Sequence, residues 1–126
     1  MAGERVLVVE DNEKNMKLLR DVLQATGYTP LEASSGEEAL TFAAETAPAL
    51  VLMDIQLPDI DGLEALRRLR EDERTAQIPV VALTAQAMHG DRERFLAAGF
   101  DGYLSKPVDI PELLATVRRY SEEGTQ

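Results

Sequence analysis

Leu50-Val51-Leu52-Met53-Asp54-Ile55-Gln56-Leu57-Pro58-Asp59 is the stretch on which the reading of the fold turns. Four apolar residues run without alternation into an aspartate, and turn residues follow at Pro58-Asp59. An unbroken apolar run of this length suits a strand covered on both faces, as in parallel sheets flanked by helices. Open α/β sheets bind ligands outside the carboxyl ends of such strands. Asp54 is therefore expected as a carboxylate at the mouth of a sheet, although in isolation it reads equally well as a turn cap.

The flanking sequence repeats the pattern. Upstream, Val6-Leu7-Val8-Val9 is a second buried strand, stopping at Glu10-Asp11-Asn12. A helical period follows, with Met16, Leu19, Leu23 and Thr26 on one face, and Lys17, Arg20, Asp21 and Gln24 toward water. Gly27 is placed to stop that helix. Tyr28 to Glu32 reads as a short edge strand, because Pro30 has no amide to donate. Ser35-Gly36-Glu37-Glu38 is a capping box opening a helix that ends before Pro48. Downstream, Asp61-Gly62-Leu63-Glu64 opens a helix continued by Leu66 and Leu69, and Ile78-Pro79 leads into a strand from Val80 to Thr84. Asp91 to Ala98 reads as a helix ended by Gly99, with Gly90 weakening its start by up to ~1 kcal/mol relative to Ala. Gly102 to Ser105 is a short fifth strand, and Asp109-Ile110-Pro111-Glu112 caps a last helix with Leu113, Leu114, Val117 and Tyr120 on its buried face.

Five β-α units with short loops imply a parallel sheet with helices on both faces and right-handed crossovers. The simplest arrangement is a flavodoxin-like, doubly wound α/β fold of strand order 2-1-3-4-5. In that order strands 1 and 3 are neighbours, which brings Glu10 and Asp11 beside Asp54. The chain reads as one domain over residues 1–126, with a core from about residue 5 to 120 and a polar, fraying tail over 121–126.

Composition narrows the function. Thirteen Lys and Arg against 23 Asp and Glu leave a formal charge of −10, which argues against nonspecific binding to nucleic acid or anionic membranes. The absence of cysteine excludes disulfides and thiolate metal sites. No signal-peptide core follows Met1, and no apolar run approaches the ~18 residues of a membrane span. A cytoplasmic protein is expected, and the compact end after the last helix suggests a stand-alone one.

Three carboxylates at one sheet edge repel one another and raise at least one pKa unless a cation joins them. An oxygen-only cluster with an open mouth suits Mg²⁺, with Mn²⁺ as a substitute. Each residue has a plainer reading. Glu10 and Asp11 suit a helix start, Thr84 suits a strand, and Lys106 suits a solvated turn. Their positions argue otherwise, because the ends of strands 1, 3, 4 and 5 each supply a group that phosphoryl transfer uses. The Lys106-Pro107 bond is a candidate for the cis form. His89, the single histidine, lacks partner ligands and reads as a surface residue.

In combination, Val9-Glu10-Asp11-Asn12, Met53-Asp54-Ile55-Gln56-Leu57-Pro58, Ala82-Leu83-Thr84-Ala85 and Ser105-Lys106-Pro107 resemble the receiver domain of two-component response regulators. The resemblance runs from about Arg5 to Tyr120. Within the family the chain is most similar to DivK-type single-domain regulators, through the run Glu10 to Lys17, the run Leu52 to Pro58, and Gly90-Asp91. Receivers attached to hybrid histidine kinases share such segments.

The resemblance implies that Asp54 accepts a phosphoryl group from the phosphohistidine of a sensor histidine kinase or histidine phosphotransferase. It implies that Asp11, Asp54 and the Gln56 backbone carbonyl ligate Mg²⁺, with Glu10 acting through a water. Many receivers carry a second Asp where this chain has Glu10, whose longer side chain still reaches a water ligand. Thr84 and Lys106 would contact the phosphoryl oxygens, Tyr103 would be the aromatic switch, and Gln56 and Gln86 would tune the lifetime of the phosphoform toward an intermediate value. Such a protein phosphorylates and dephosphorylates itself without being a conventional turnover enzyme. The expected output is a face made by the fourth helix, fifth strand and fifth helix, docking a downstream kinase or adaptor, from a monomer or a weak phosphorylation-dependent dimer.

Three other readings compete. A phosphohydrolase of the haloacid-dehalogenase type places its nucleophile after the first strand with a second Asp two residues later, whereas Gln56 stands two residues after Asp54. A flavodoxin-like FMN binder needs a Ser/Thr/Gly-rich loop where this chain has Glu10-Asp11. A receiver acting only as a phosphorylation-independent interaction module would not need all five site positions filled.

Overall fold

The computed structural model describes residues 3–85 and 91–123. Gln86, His89 and Gly90 lie outside the described residues. Five strands, β1 (Arg5–Val9), β2 (Thr29–Ala33), β3 (Leu50–Asp54), β4 (Val80–Thr84) and β5 (Gly102–Ser105), alternate with five helices, α1 (Glu13–Ala25), α2 (Gly36–Thr46), α3 (Gly62–Glu71), α4 (Asp91–Ala98) and α5 (Ile110–Glu123). The strands form one sheet in the order β2-β1-β3-β4-β5, and every pairing is parallel. This is the doubly wound order expected from the β-α alternation.

The unbroken apolar runs are explained by two cores, one on each face. Successive strand side chains point to opposite faces. Leu7, Val9, Val51, Met53, Val80 and Ala82 pack with Ala39 and Ala43 of α2, Leu66 and Leu69 of α3, and Phe95 of α4. Val6, Val8, Leu50, Leu52, Val81 and Leu83 pack with Leu19 and Leu23 of α1 and with Leu113 and Val117 of α5. β2 carries Pro30 and pairs only with β1 among the described strands.

The caps form as the sequence proposes, with one shift. The side chains of Ser35, Asp61 and Asp109 accept from the amides of Glu38, Glu64 and Glu112 at 3.2, 2.8 and 3.0 Å. Asn12 caps α1 in the same way, accepting from the Asn15 amide at 3.0 Å. The return bond of the α2 box comes one residue early, since Glu38 accepts from the Ser34 amide at 2.7 Å. Gly27 and Gly99 close α1 and α4 with φ of 95° and 115°, the left-handed region that glycine adopts at no steric cost.

Three boundaries depart from expectation. Thr26 is exposed rather than part of the buried face, and its hydroxyl donates to the Val22 carbonyl at 2.9 Å. The Tyr28 amide donates to the Leu23 carbonyl at 3.0 Å, so Tyr28 finishes the helix turn and β2 starts at Thr29. α5 runs on to Glu123 with Ser121 fully buried, past the point where the sequence suggested fraying. At the sheet end opposite Asp54, Arg70 donates to the carbonyls of Ile78 (2.6 Å) and Gly99 (3.1 Å) and to Asp101 Oδ2 (3.0 Å), holding the turns before β4 and β5 together.

Leu52 lies fully buried at the centre of β3. Leu52→Ala should lower the unfolding free energy by about 2–5 kcal/mol, read as a shifted urea midpoint at unchanged slope.

Candidate functional site

The parallel order brings the ends of β1, β3, β4 and β5 to one edge, and each delivers one group. Glu10 follows β1 and is buried, and its backbone amide donates to the Ala33 carbonyl at 3.0 Å. Asp54 is the last residue of β3 and Thr84 the last of β4, and both are buried. Lys106 follows β5, and its amide donates to the Thr84 carbonyl at 2.8 Å, carrying the ladder one residue further.

The Lys106 ammonium donates to Asp54 Oδ2 at 2.7 Å and to Glu10 Oε1 at 2.8 Å. The other Asp54 oxygen accepts from the Gln56 amide at 2.9 Å, which fixes the carboxylate from both sides. Asp11 is exposed at the rim, and one ligand oxygen from each of Glu10, Asp11 and Asp54 lies within 4.8 Å of the others. An open cleft of about 490 Å³ lies over Glu10, Asp11, Asn12, Asp54, Gln56 and Lys106. A recess of about 40 Å³ leads inward between Asp54, Thr84, Phe95 and Lys106.

Burial pushes the Glu10 carboxyl above its ordinary value, and its contact with Asp54 adds to this, while Lys106 works against it. Burial also acts to lower the Lys106 pKa, but its hydrogen bonds and charge pairing with Asp54 and Glu10 outweigh it and hold the ammonium above its ordinary value.

Three carboxylate oxygens this close, with no nitrogen or sulfur ligand among them, fit a hard divalent cation. The remaining candidates sit as follows. Gln56 is exposed at the cleft, with its amide on Asp54. Tyr103 on β5 is half-buried, its ring centroid 6.4 Å from that of Phe95 on α4. The Lys106-Pro107 peptide is cis. One residue carried no sequence signal beyond a turn. The Asp59 carboxylate accepts from the Gly36 and Glu37 amides, both at 2.8 Å, and ties the loop after Asp54 to α2.

Residues 6–118 match the response regulator receiver domain family. The chain belongs to that family. This receiver is 50% identical over 115 residues to the polar-differentiation response regulator DivK of Brucella ovis, covering 91% of this chain and 94% of that protein. Among solved structures it is similar to the receiver domain of the sensor histidine kinase PA1611 from Pseudomonas aeruginosa, which has a magnesium ion coordinated in its active-site cleft (TM-score 0.88, 37% identity, 96% and 99% of the two chains covered). It is also similar to the Ssk1 receiver domain of Saccharomyces cerevisiae, solved in complex with the histidine phosphotransfer protein Ypd1 (TM-score 0.87, 30% identity, 95% and 90% covered). Receiver domains are signalling phosphoacceptors that bind Mg²⁺ at an acidic pocket, and this receiver has the acidic cluster. No helix among its described residues is long and apolar enough to cross a membrane.

The raised Glu10 pKa has a measurable consequence. The folded, cation-free protein holds this proton more tightly than the unfolded chain, so the stabilisation is fully present below the ordinary value of 4.5 and is lost as pH rises through the raised one. Urea denaturation in EDTA between about pH 4 and pH 7 should show wild type losing stability relative to Glu10→Gln as pH rises. A difference independent of pH would contradict the raised value.

Proposed function

We propose that this receiver accepts a phosphoryl group on Asp54 from the phosphohistidine of a sensor histidine kinase or histidine phosphotransferase, and that the modification changes a protein-docking face. The observation that carries the reading is Asp54 itself. It is a buried carboxylate held 2.7 Å from a lysine and within 4.8 Å of two further acidic ligand groups. An Asp54 carboxylate oxygen attacks phosphorus, the phosphorus–nitrogen bond of the donor breaks, and its electron pair returns to the imidazole ring. Asp11, Asp54 and the Gln56 carbonyl would hold Mg²⁺ (or Mn²⁺), with Glu10 acting through a water. The ion supplies charge neutralisation on the transferring oxygens. Lys106 and the Thr84 hydroxyl, which line the recess beside Asp54, take the other phosphoryl oxygens. Gln56 and Gln86 are neutral amides that neither strongly activate nor exclude water, which fits a phosphoform of intermediate lifetime. The same residues would accept phosphate from small donors without conventional turnover.

The phosphoryl group adds about −1.5 to −2 charges at the mouth and gives Thr84 a new acceptor. β4 pairs with β5 through Thr84 opposite Ser105 and Ala82 opposite Tyr103. Movement at Thr84 would therefore reach the Tyr103–Phe95 contact and the groove of about 390 Å³ that runs over Leu96, Tyr103, Glu112 and Tyr120. This α4-β5-α5 face would dock a downstream kinase or adaptor in the cytoplasm, and the charge of −10 disfavours nucleic acid as the partner. The similarity to DivK supports a stand-alone regulator of cell polarity or division. The 37% identity to a sensor-kinase receiver keeps a hybrid-kinase setting as the second reading.

Intact mass after incubation with acetyl phosphate tests the reading. Wild type should gain the mass of one phosphoryl group only with Mg²⁺, and Asp54→Ala should gain none. Gain in the variant would move the phosphoacceptor elsewhere.

A further inference from the structure

We infer that Asp59 is a positioning residue for the cation site, acting by anchoring the loop after Asp54 to the first turn of α2. The inference rests on the proposed Mg²⁺ site and names a residue that governs it from outside.

The loop is closed at its base. The Gly62 amide donates to the Ile55 carbonyl at 2.8 Å, pinching off residues 56–61. The base has no slack, because a Cβ on Gly62 would stand 2.7 Å from the Asp54 carbonyl oxygen and 2.8 Å from the Ile55 Cα. Within the pinched loop lies Gln56, whose amide holds Asp54 Oδ1 and whose carbonyl would be the loop's ligand in the proposed site. Besides the bonds of Gln56 to β3 and of Asp61 to α3, the two elements the loop joins, Asp59 ties the loop to a third element by accepting from the Gly36 and Glu37 amides of α2.

The anchor is chemically well matched. The first amides of a helix have no partner within it, and a carboxylate there is favoured by the helix dipole. Burial acts to raise the Asp59 carboxyl, but backbone hydrogen bonds, those of Glu37 and Gly36 foremost with Ile60 and Asp59 adding to them, hold it below its ordinary value. Ile60 secures the same junction by packing where a Gly36 side chain would otherwise stand. Residue 36 is therefore required to be small, and the loop is pinned to α2 by one carboxylate and one apolar side chain.

Gln56 lies three residues before Asp59 in a loop fixed at both ends. Loss of the anchor should leave the carboxylates in place, since Asp54 ends β3 and Glu10 and Asp11 follow β1 outside this loop, and should loosen the backbone carbonyl. The effect belongs in cation affinity as well as stability. Ser35 supplies the control, because it caps the same α2 terminus by accepting from the Glu38 amide at 3.2 Å, a bond in which the loop takes no part.

The experiment is an NMR titration of the full chain with Mg²⁺ alone, following the Gln56 and Asp54 amides, alongside urea denaturation. Asp59→Ala should weaken Mg²⁺ binding about tenfold, the low end for groups that support metal ligands from behind. Ser35→Ala should lose stability and keep wild-type affinity. Asp59→Asn retains one acceptor oxygen and should fall between wild type and Asp59→Ala, and it decides the matter if Asp59→Ala does not fold. Unchanged Mg²⁺ affinity in a folded Asp59 variant, or equal weakening in Ser35→Ala, would overturn the inference and leave Asp59 as a helix cap. Failure of wild type to bind Mg²⁺ would instead overturn the proposed cation site.

Discussion

The Lys106 ammonium, 2.7 Å from Asp54 and 2.8 Å from Glu10, is the interaction on which the working edge of the sheet depends. Both carboxylates are buried at the ends of strands that parallel topology makes neighbours, so their repulsion is built into the fold. β5 lies beyond β4 from Asp54, and the four-carbon stem of lysine spans that distance where a shorter cation would not. With Asp11 at the rim, three acidic groups lie around the Lys106 ammonium among the described residues. A site left electronegative in this way favours an added cation, and with it a ligand rich in oxygen.

A buried ion pair of this kind is poor evidence for stability, because the cost of desolvating two charges offsets most of their attraction. Stability here comes from the two apolar cores, and the strands they clamp supply rigid positions for Asp54 and Thr84 at their last residues. Arg70 locks the opposite end of the sheet through backbone carbonyls. The half-buried Tyr103 and the exposed Leu96 line the groove formed with α5. The molecule thus combines side chains fixed at strand ends with a partly exposed groove beside them.

Much of this was legible in the chain. Strands buried on both faces leave runs such as Val6 to Val9 and Leu50 to Met53, and these runs gave both the parallel sheet and the place of Asp54. Pro30 marked the edge strand, and the Ser35, Asp61 and Asp109 caps marked helix starts within a residue. The convergence of Glu10, Asp54, Thr84 and Lys106 was legible only through topology, since no local pattern joins positions so far apart. What escaped was carried by side chains bonding to distant backbone. Asp59 to Gly36 and Arg70 to Gly99 have no period and no motif. Tyr28 and Thr26 looked like strand and core because their apolar parts fit those roles, while hydrogen bonds to Leu23 and Val22 assigned them to the end of α1. Ser121 looked like tail because it is small and polar, and it is buried by the extra turn of α5.

The account stands on Asp54 as the point where phosphate is carried and on Lys106 as the cation that answers it. A crystal structure grown with Mg²⁺ and beryllofluoride, a phosphoryl mimic, examines both at once. The account predicts beryllium bonded to an Asp54 carboxylate oxygen, the metal ion against Asp11 and Asp54, and fluorines in contact with the Lys106 ammonium and the Thr84 hydroxyl. Beryllofluoride absent from Asp54 at saturating concentration, with Lys106 still bridging Glu10 and Asp54 and no ion beside Asp11, would contradict it.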